Sequence, residues 1–211
     1  MRKVARTTNR LTYLLNYALR KLTLPATLTS IGNFALDGCI SLTELSLPAA
    51  LSTLGIAAFR GTASLTGLTL PAALTTISNY AVFYGATSLT NLTLPDALTS
   101  IGDSAFSRCS SLAELTLPTA LTAIGREAFR DCVSLTSLSL PTALNTIGNY
   151  AFRNTSLICL SLPAALTSIG NYSFCQCAAL TKLVLPDAMT TISYGAFFGC
   201  VSLVSITLPS R

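Results

Sequence analysis

Nine prolines recur along this chain at nearly constant intervals: Pro25, Pro48, Pro71, Pro95, Pro118, Pro141, Pro163, Pro186 and Pro209. Their spacings are 23, 23, 24, 23, 23, 22, 23 and 23 residues, and each follows a leucine that closes a Leu-x-Leu-Pro string, with Ile206 opening the ninth. A fixed period in the twenties marks a stack of short structural units rather than a folded globule. Eight units run from Leu22 to Ser205, and Ile206 begins another.

Each position in the unit has a physical reading. In Leu115–Ser137, LTLPTALTAIGREAFRDCVSLTS, the leucines at 115 and 117 flank Thr116. Alternation of this kind puts two apolar side chains on one side of a short strand and a hydroxyl on the other. Pro118 has no N–H for a ladder and ends the strand. Leu121 and Ile124 return to the interior, and Gly125 relieves a tight corner. Ala128 and Phe129 are expected on a short helical turn, and Cys132 and Leu135 complete the coil. One unit alone buries too little apolar surface to offset the entropy of ordering its backbone, so the units must stack. At about 4.8 Å per strand, eight coils make a rod core roughly 40 Å long.

The pattern resembles the BspA-like leucine-rich repeats of bacterial and protist surface proteins. The motif L-x-x-L-x-L-P-x-x-L-x-x-I-x-x-x-A-F-x-x-C is matched by Leu112 onward with every anchor in place, and the resemblance covers residues 22–211. It implies a mainly-β solenoid, a parallel sheet on one face, and adhesion or protein binding at a cell surface. It supplies no catalytic residues. Similar units would also suit a consensus-designed protein, but the irregularities favour natural duplication. The third repeat gains a residue, placed around Val82-Phe83-Tyr84, and the sixth loses one near Arg153-Asn154-Thr155. Both changes are assigned to the turn after the Phe position. Leu36 replaces the aromatic of the first repeat, and Thr62 the cysteine of the second.

Residues 1–21 form a separate segment. They hold six of the 13 Lys and Arg residues and no acid, whereas residues 22–211 carry seven bases and eight acids. Leu11, Leu14, Leu15, Ala18 and Leu19 follow helical spacing, with Thr8 or Asn9 as a cap, which predicts a helix lying over the open end of the solenoid. A degenerate repeat is the alternative, since Ala18-Leu19-Arg20-Lys21 aligns with Ser41-Leu42-Thr43-Glu44. An Arg-rich presequence is a third reading, while a secretory signal needs a longer apolar stretch than Leu11–Leu19. The resemblance implies a surface or secreted protein. With no clear export signal, a cytoplasmic or organellar location stays open.

The chain holds no histidine, which removes Ser-His-Asp and Cys-His catalysis and the commonest metal ligand. Its acids are scattered over different repeats, and its glycines mark repeat corners rather than a phosphate loop. Neither an enzyme, a cofactor nor a metal is expected. Cys39, Cys109, Cys132, Cys177 and Cys200 each lie 14 residues after their proline and read as one buried structural column. Cys109 with Cys132, or Cys177 with Cys200, would come within disulfide range only if the geometry allows it.

Two surfaces are candidates for binding. On the strand face the outward pairs are Glu44/Ser46, Gly67/Thr69, Asn91/Thr93, Glu114/Thr116, Ser137/Ser139, Cys159/Ser161, Lys182/Val184 and Ser205/Thr207. The second column is mostly hydroxyl and the first varies in size and charge. Glu44, Ser46, Thr69, Asn91, Thr93, Glu114, Thr116, Ser137 and Lys182 are therefore the candidate partner-binding residues, for a protein or possibly glycan ligand. The second surface is a basic edge of Arg60, Arg108, Arg126, Arg130 and Arg153. Interspersed Glu127 and Asp131, and the lack of aromatic interleaving, argue against nucleic acid there. Tyr80, Tyr150, Tyr172 and Tyr194, beside the corners, are read as packing. A further column of Thr29, Ser52, Thr75, Thr99, Thr122, Thr167 and Thr190, interrupted by Asn145, makes an ice-binding solenoid an alternative. An architectural subunit of a larger complex is another. No run of about 18 apolar residues suits a transmembrane helix.

Overall fold

The computed structural model describes residues 17–77 and 80–207. The chain winds as a succession of short strands and turns, and each coil lies on the one before it. Its strands in chain order are β1 (Lys21–Thr23), β2 (Ser30–Ile31), β3 (Glu44–Ser46), β4 (Thr53–Leu54), β5 (Gly67–Thr69), β6 (Thr76–Ile77) and β7 (Asn91–Thr93). They continue as β8 (Ser100–Ile101), β9 (Ala123–Ile124), β10 (Thr146–Ile147), β11 (Cys159–Ser161), β12 (Lys182–Val184) and β13 (Ser205–Thr207). Every pairing is parallel and in register. On the Leu-x-Leu side Leu22 faces Leu45, Leu68 faces Leu92, and Leu160, Leu183 and Ile206 follow one another. On the second side Ile77, Ile101, Ile124 and Ile147 form one column, which a bridge extends to Ile169. Equal coil length causes this: identical positions meet because the circumference repeats.

The third side corrects the expected helical turn. From Glu127 to Asp131 alternate amides point in different directions. The N–H groups of Glu127, Phe129 and Asp131 donate to Asn149, Ala151 and Arg153 of the next coil at 2.8–2.9 Å. Those of Arg130 and Cys132 close local turns on the Glu127 and Phe129 carbonyls at 3.1 and 3.2 Å. A helical turn aims all its amides along its own axis, so it cannot supply this ladder. The alternation needs left-handed residues at both ends, Glu127 at φ 55° and Asp131 at φ 59°. The same two columns run along the rod. The second is glycine at 38, 61, 85 and 199, but Arg108, Asp131, Asn154 and Gln176 in the middle coils. Inter-coil hydrogen bonds hold these side-chain-bearing residues in a conformation that costs about 1–2 kcal/mol each.

Inside, Phe59, Phe83, Phe106, Phe129, Phe152 and Phe174 are all fully buried. They stack with ring centroids 5.2–5.4 Å apart, and Phe197 continues the column at 5.8 Å. This stack locates the irregular residues. Phe83 keeps its place between Phe59 and Phe106, so the extra residue of the third coil precedes it, between Ile77 and Phe83, and does not follow it as expected. Ala81 holds the regular left-handed position of the first column, and exposed Tyr80 before it, also at positive φ, is the departure from the other coils. The stretch after Phe83 is packed against coils on both sides and has no slack. In the sixth coil Thr155 stays in the cysteine column, 3.2 Å from Cys177 Sγ. The missing residue therefore falls between Thr155 and Leu157, after the Phe position as expected.

The expected cap over residues 1–21 lies largely outside the described residues. Within them, Arg20 accepts hydrogen bonds from the Thr43 and Glu44 amides, and Lys21 pairs with Glu44 in β1–β3. At the other end the eighth coil leaves Val201, Val204, Phe198 and Tyr194 exposed.

Two buried polar side-chain atoms lack a hydrogen-bond partner among the described residues: Arg130 Nε, which lies 3.4 Å from Asp131 Oδ2, and the Ser173 hydroxyl. Ser173 replaces the alanine that precedes Phe in the fourth, fifth and sixth coils, and its buried hydroxyl has no hydrogen-bond partner among the described residues. Ser173→Ala is expected to stabilise the rod by about 1 kcal/mol, because it removes a desolvated hydroxyl without creating a cavity. A rise in the urea midpoint checks this; an unchanged or lowered midpoint would reveal a partner for the hydroxyl. Burial also hides the end of the Asn171-Tyr172-Ser173 sequon, whereas Asn91 and Thr93 are exposed.

Candidate functional site

On the Leu-x-Leu face the leucines of the strands turn inward and their neighbours turn out. Glu44, Ser46, Thr69, Asn91, Thr93, Glu114, Thr116, Ser137 and Lys182 are all exposed there. The ladder brings Glu114 beside Ser137, and Glu44 beside Lys21, whose Nζ lies 2.7 Å from Glu44 Oε2. That contact raises the Lys21 pKa through the hydrogen bond and the carboxylate charge. Lys182 sits further along, between Cys159 and Ser205. The candidate residues therefore form a line rather than a cluster.

The face is hollowed along this line. Between the first and second coils lies a cavity of about 350 Å³ bordered by Lys21, Thr23, Glu44 and Ser46. The next, of about 640 Å³, is lined by Ser46, Gly67, Thr69, Asn91 and Thr93, with Leu45, Leu68, Ala49 and Ala72 as its apolar part. It is followed by cavities of about 460 Å³ between Asn91 and Thr116 and about 200 Å³ between Glu114 and Ser139. Two features produce the groove. Among the described residues β3 is not paired with β5, nor β7 with the strand segment of the fifth coil. Gly67 also leaves a gap in the first outward column. In the sequence Gly67 is one member of a varying column, and its place outside the corner position is the signal that an absent side chain leaves a space there.

The basic edge proves to be a ladder of internal partners. Arg60 makes a two-pronged bond to Asp37 one coil back, at 2.7 and 2.6 Å. Arg126 and Arg130 both reach Glu127, at 2.9 and 3.0 Å, and Arg108 lies 3.7 Å from Asp131. Arg153 donates to Gln176 at 3.1–3.2 Å. Three carboxylates thus offset part of the charge of these five arginines, which weakens the edge as a site for a polyanion.

The threonine column of the second side is also engaged within the rod. Thr122 and Thr99 hydroxyls donate to the Thr99 and Thr75 carbonyls at 3.1 and 3.2 Å. The Tyr residues partly pack as expected: Tyr150 stacks on Tyr172 at 5.1 Å, and Tyr194 meets Tyr172 edge-on at 5.2 Å.

The cysteine column is buried except for half-buried Cys200, and it is more polar than a row of small hydrophobes. The thiols of Cys109, Cys132, Cys177 and Cys200 donate to the carbonyls of Phe83, Phe106, Phe152 and Phe174 in the preceding coils at 3.1–3.2 Å. Thr62 and Thr155 occupy the column with hydroxyls bonded to their own coil's Phe carbonyl at 2.9 and 3.0 Å. Burial pushes the Cys109 thiol up to about 12 and Cys132 in the same direction, which keeps both protonated as donors. No group of metal-binding side chains is present among the described residues, and no described helix is long and apolar enough to cross a membrane.

A model of the BspA type leucine rich repeat region, six copies long, matches residues 12–119 and 100–211. Among solved structures, a leucine-rich repeat protein from Bacteroides ovatus is similar, with a TM-score of 0.82 and 26% identity over 89% of this chain and 49% of that one. The pneumococcal vaccine antigen PcpA aligns with a TM-score of 0.59 and 23% identity over 89% of this chain and 56% of its own. A leucine-rich repeat protein from Eubacterium ventriosum gives 0.50 and 22% over 92% and 67%. The chain thus spans about half the length of the first two structures. No curated protein sequence matches it.

Proposed function

The chain belongs to the BspA-type leucine-rich repeat family, and from that premise we propose that it is a non-catalytic scaffold that binds a partner protein, or a glycan carried by one, through its Leu-x-Leu face. One observation carries the reading. Along a ladder whose inward column is leucine in every coil up to Ile206, the outward column changes from Glu44 to Gly67, Asn91, Glu114, Ser137, Cys159, Lys182 and Ser205, and the groove follows its first part, from Glu44 to Ser137. A rigid backbone with varied outward chemistry is how solenoids present an extended recognition surface. A cell-surface or secreted location is part of the same proposal and rests on the family.

Paired substitutions test it. Glu114→Lys with Lys182→Glu is expected to lower capture of the partner from the native source by about tenfold. Both side chains are exposed on the rim of the ladder, so the melting temperature should stay within about 1–2 °C. Parallel loss of fold and capture, or full retention of capture, would remove this face as the binding surface. A partner that co-purifies in fixed stoichiometry with both forms would instead favour the assembly role, for which the exposed apolar eighth coil provides a surface.

A further inference from the structure

We infer that the broadest part of the groove, at Gly67, is a subsite for a neutral sugar chain. This rests on the reading of the Leu-x-Leu face as the binding surface and names the chemistry that part of it accepts. The cavity of about 640 Å³ has no charged residue in its lining. A charged ligand would lose hydration there without gaining a counter-charge. Ser46, Thr69, Thr93 and Asn91 line it alongside leucine and alanine side chains, so a wholly apolar ligand would cover four hydrogen-bonding side chains and leave them unsatisfied. A sugar ring has both surfaces required, a rim of hydroxyls and faces of C–H. The groove continues on both sides through cavities of about 350 and 460 Å³, with hydroxyls from Thr23, Ser46, Thr93 and Thr116 and with the paired Lys21 and Glu44 on one side and Glu114 on the other. Pairing of β5 with β7 sets the Thr69 and Thr93 hydroxyls about 4.8 Å apart, and hydroxyls also line the flanking cavities, which favours a polymer engaged over several coils above a single ring.

Gly67 makes the subsite accessible and provides its test. A Cβ built there meets only ordinary contacts, Asn91 O at 3.6 Å and Asn91 Cβ at 3.7 Å. A large side chain at 67 therefore enters the cavity instead of the core. The full chain is titrated with neutral gluco-, manno- and galacto-hexaoses, with their dimers, with polyanionic chondroitin, and with an uncharged Ser/Gly peptide. At least one neutral hexaose should bind, its dimer about tenfold more weakly, and Gly67→Trp should remove binding with an unchanged melting temperature. Gly67→Gln serves if the tryptophan variant does not fold. Binding only to chondroitin or only to the peptide, binding to none of the probes, or neutral binding indifferent to both substitutions overturns the subsite. A captured glycoprotein compared before and after enzymatic deglycosylation separates a protein-borne glycan from free polysaccharide, and either source supports the subsite. If Gly67→Trp spares partner capture while the Glu114/Lys182 exchange abolishes it, the sugar subsite falls and the binding face stands; if neither affects capture, both fall.

Discussion

Phe129→Ala is expected to reduce the stability of the rod by about 3–5 kcal/mol. The ring is fully buried and stacks between Phe106 and Phe152, at 5.4 Å from each. Truncation removes dispersion contacts on both faces at once. The hole cannot close readily, because the Phe129 amide is bonded to Ala151 and the Phe106 amide to Ala128, which fixes the distance between coils. In a solenoid the damage also reaches beyond one residue. Stability is the sum of coil terms and nearest-neighbour interfaces, and this substitution weakens two central interfaces. Urea unfolding should show both a lower midpoint and a broader transition as the halves uncouple. Phe34→Ala is the control: that ring is 52% exposed, with Arg60 5.6 Å above it, and should cost under about 1 kcal/mol. Equal effects at the two positions would mean that the aromatic column is not the core.

The comparison of Phe34 with Phe129 also shows what the linear pattern encodes. Leu-x-Leu alternation, the proline stop and the 23-residue period predict inward leucines and an exposed line from Glu44 to Lys182, because each follows from side-chain direction and equal circumference, while the parallel sheet is what the family resemblance implies. What escaped the pattern depends on contact between coils. Glu127 and Asp131 look like ordinary surface residues, and only the ladder to Asn149 and Arg153 explains why they adopt positive φ. By contrast, the extra residue of the third coil was legible in the spacing, six residues from Ile77 to Phe83 against five from Ile101 to Phe106, and the Phe stack places it likewise before Phe83. Cysteine read as a small hydrophobe because its acceptor, the Phe carbonyl of the preceding coil, is distant in sequence. The groove at Gly67 was invisible for a related reason: a cavity is defined by neighbours from three coils, and a pattern of side chains records only those present.

Gly148→Ala carries the second large effect, and here the neighbouring coil alone decides the outcome. A Cβ on Gly148 would lie 2.6 Å from Arg126 N and Gly125 C and 2.8 Å from Gly125 O. These are backbone atoms of the coil beneath, so no side-chain rotation relieves the overlap. Gly32 occupies the same corner of the first coil, but a Cβ there meets nothing within 4 Å. Neither glycine has a positive φ in this structure, which leaves steric approach as the difference between them. Relieving the overlap parts β9 from β10 and draws Ile147 from the core, at a cost of about 2–3 kcal/mol. Gly32→Ala should change stability by less than about 0.5 kcal/mol. Chemical denaturation of the two variants side by side measures this, and equal destabilisation would show that the corner requires glycine for its own backbone and not for the approach of the next coil.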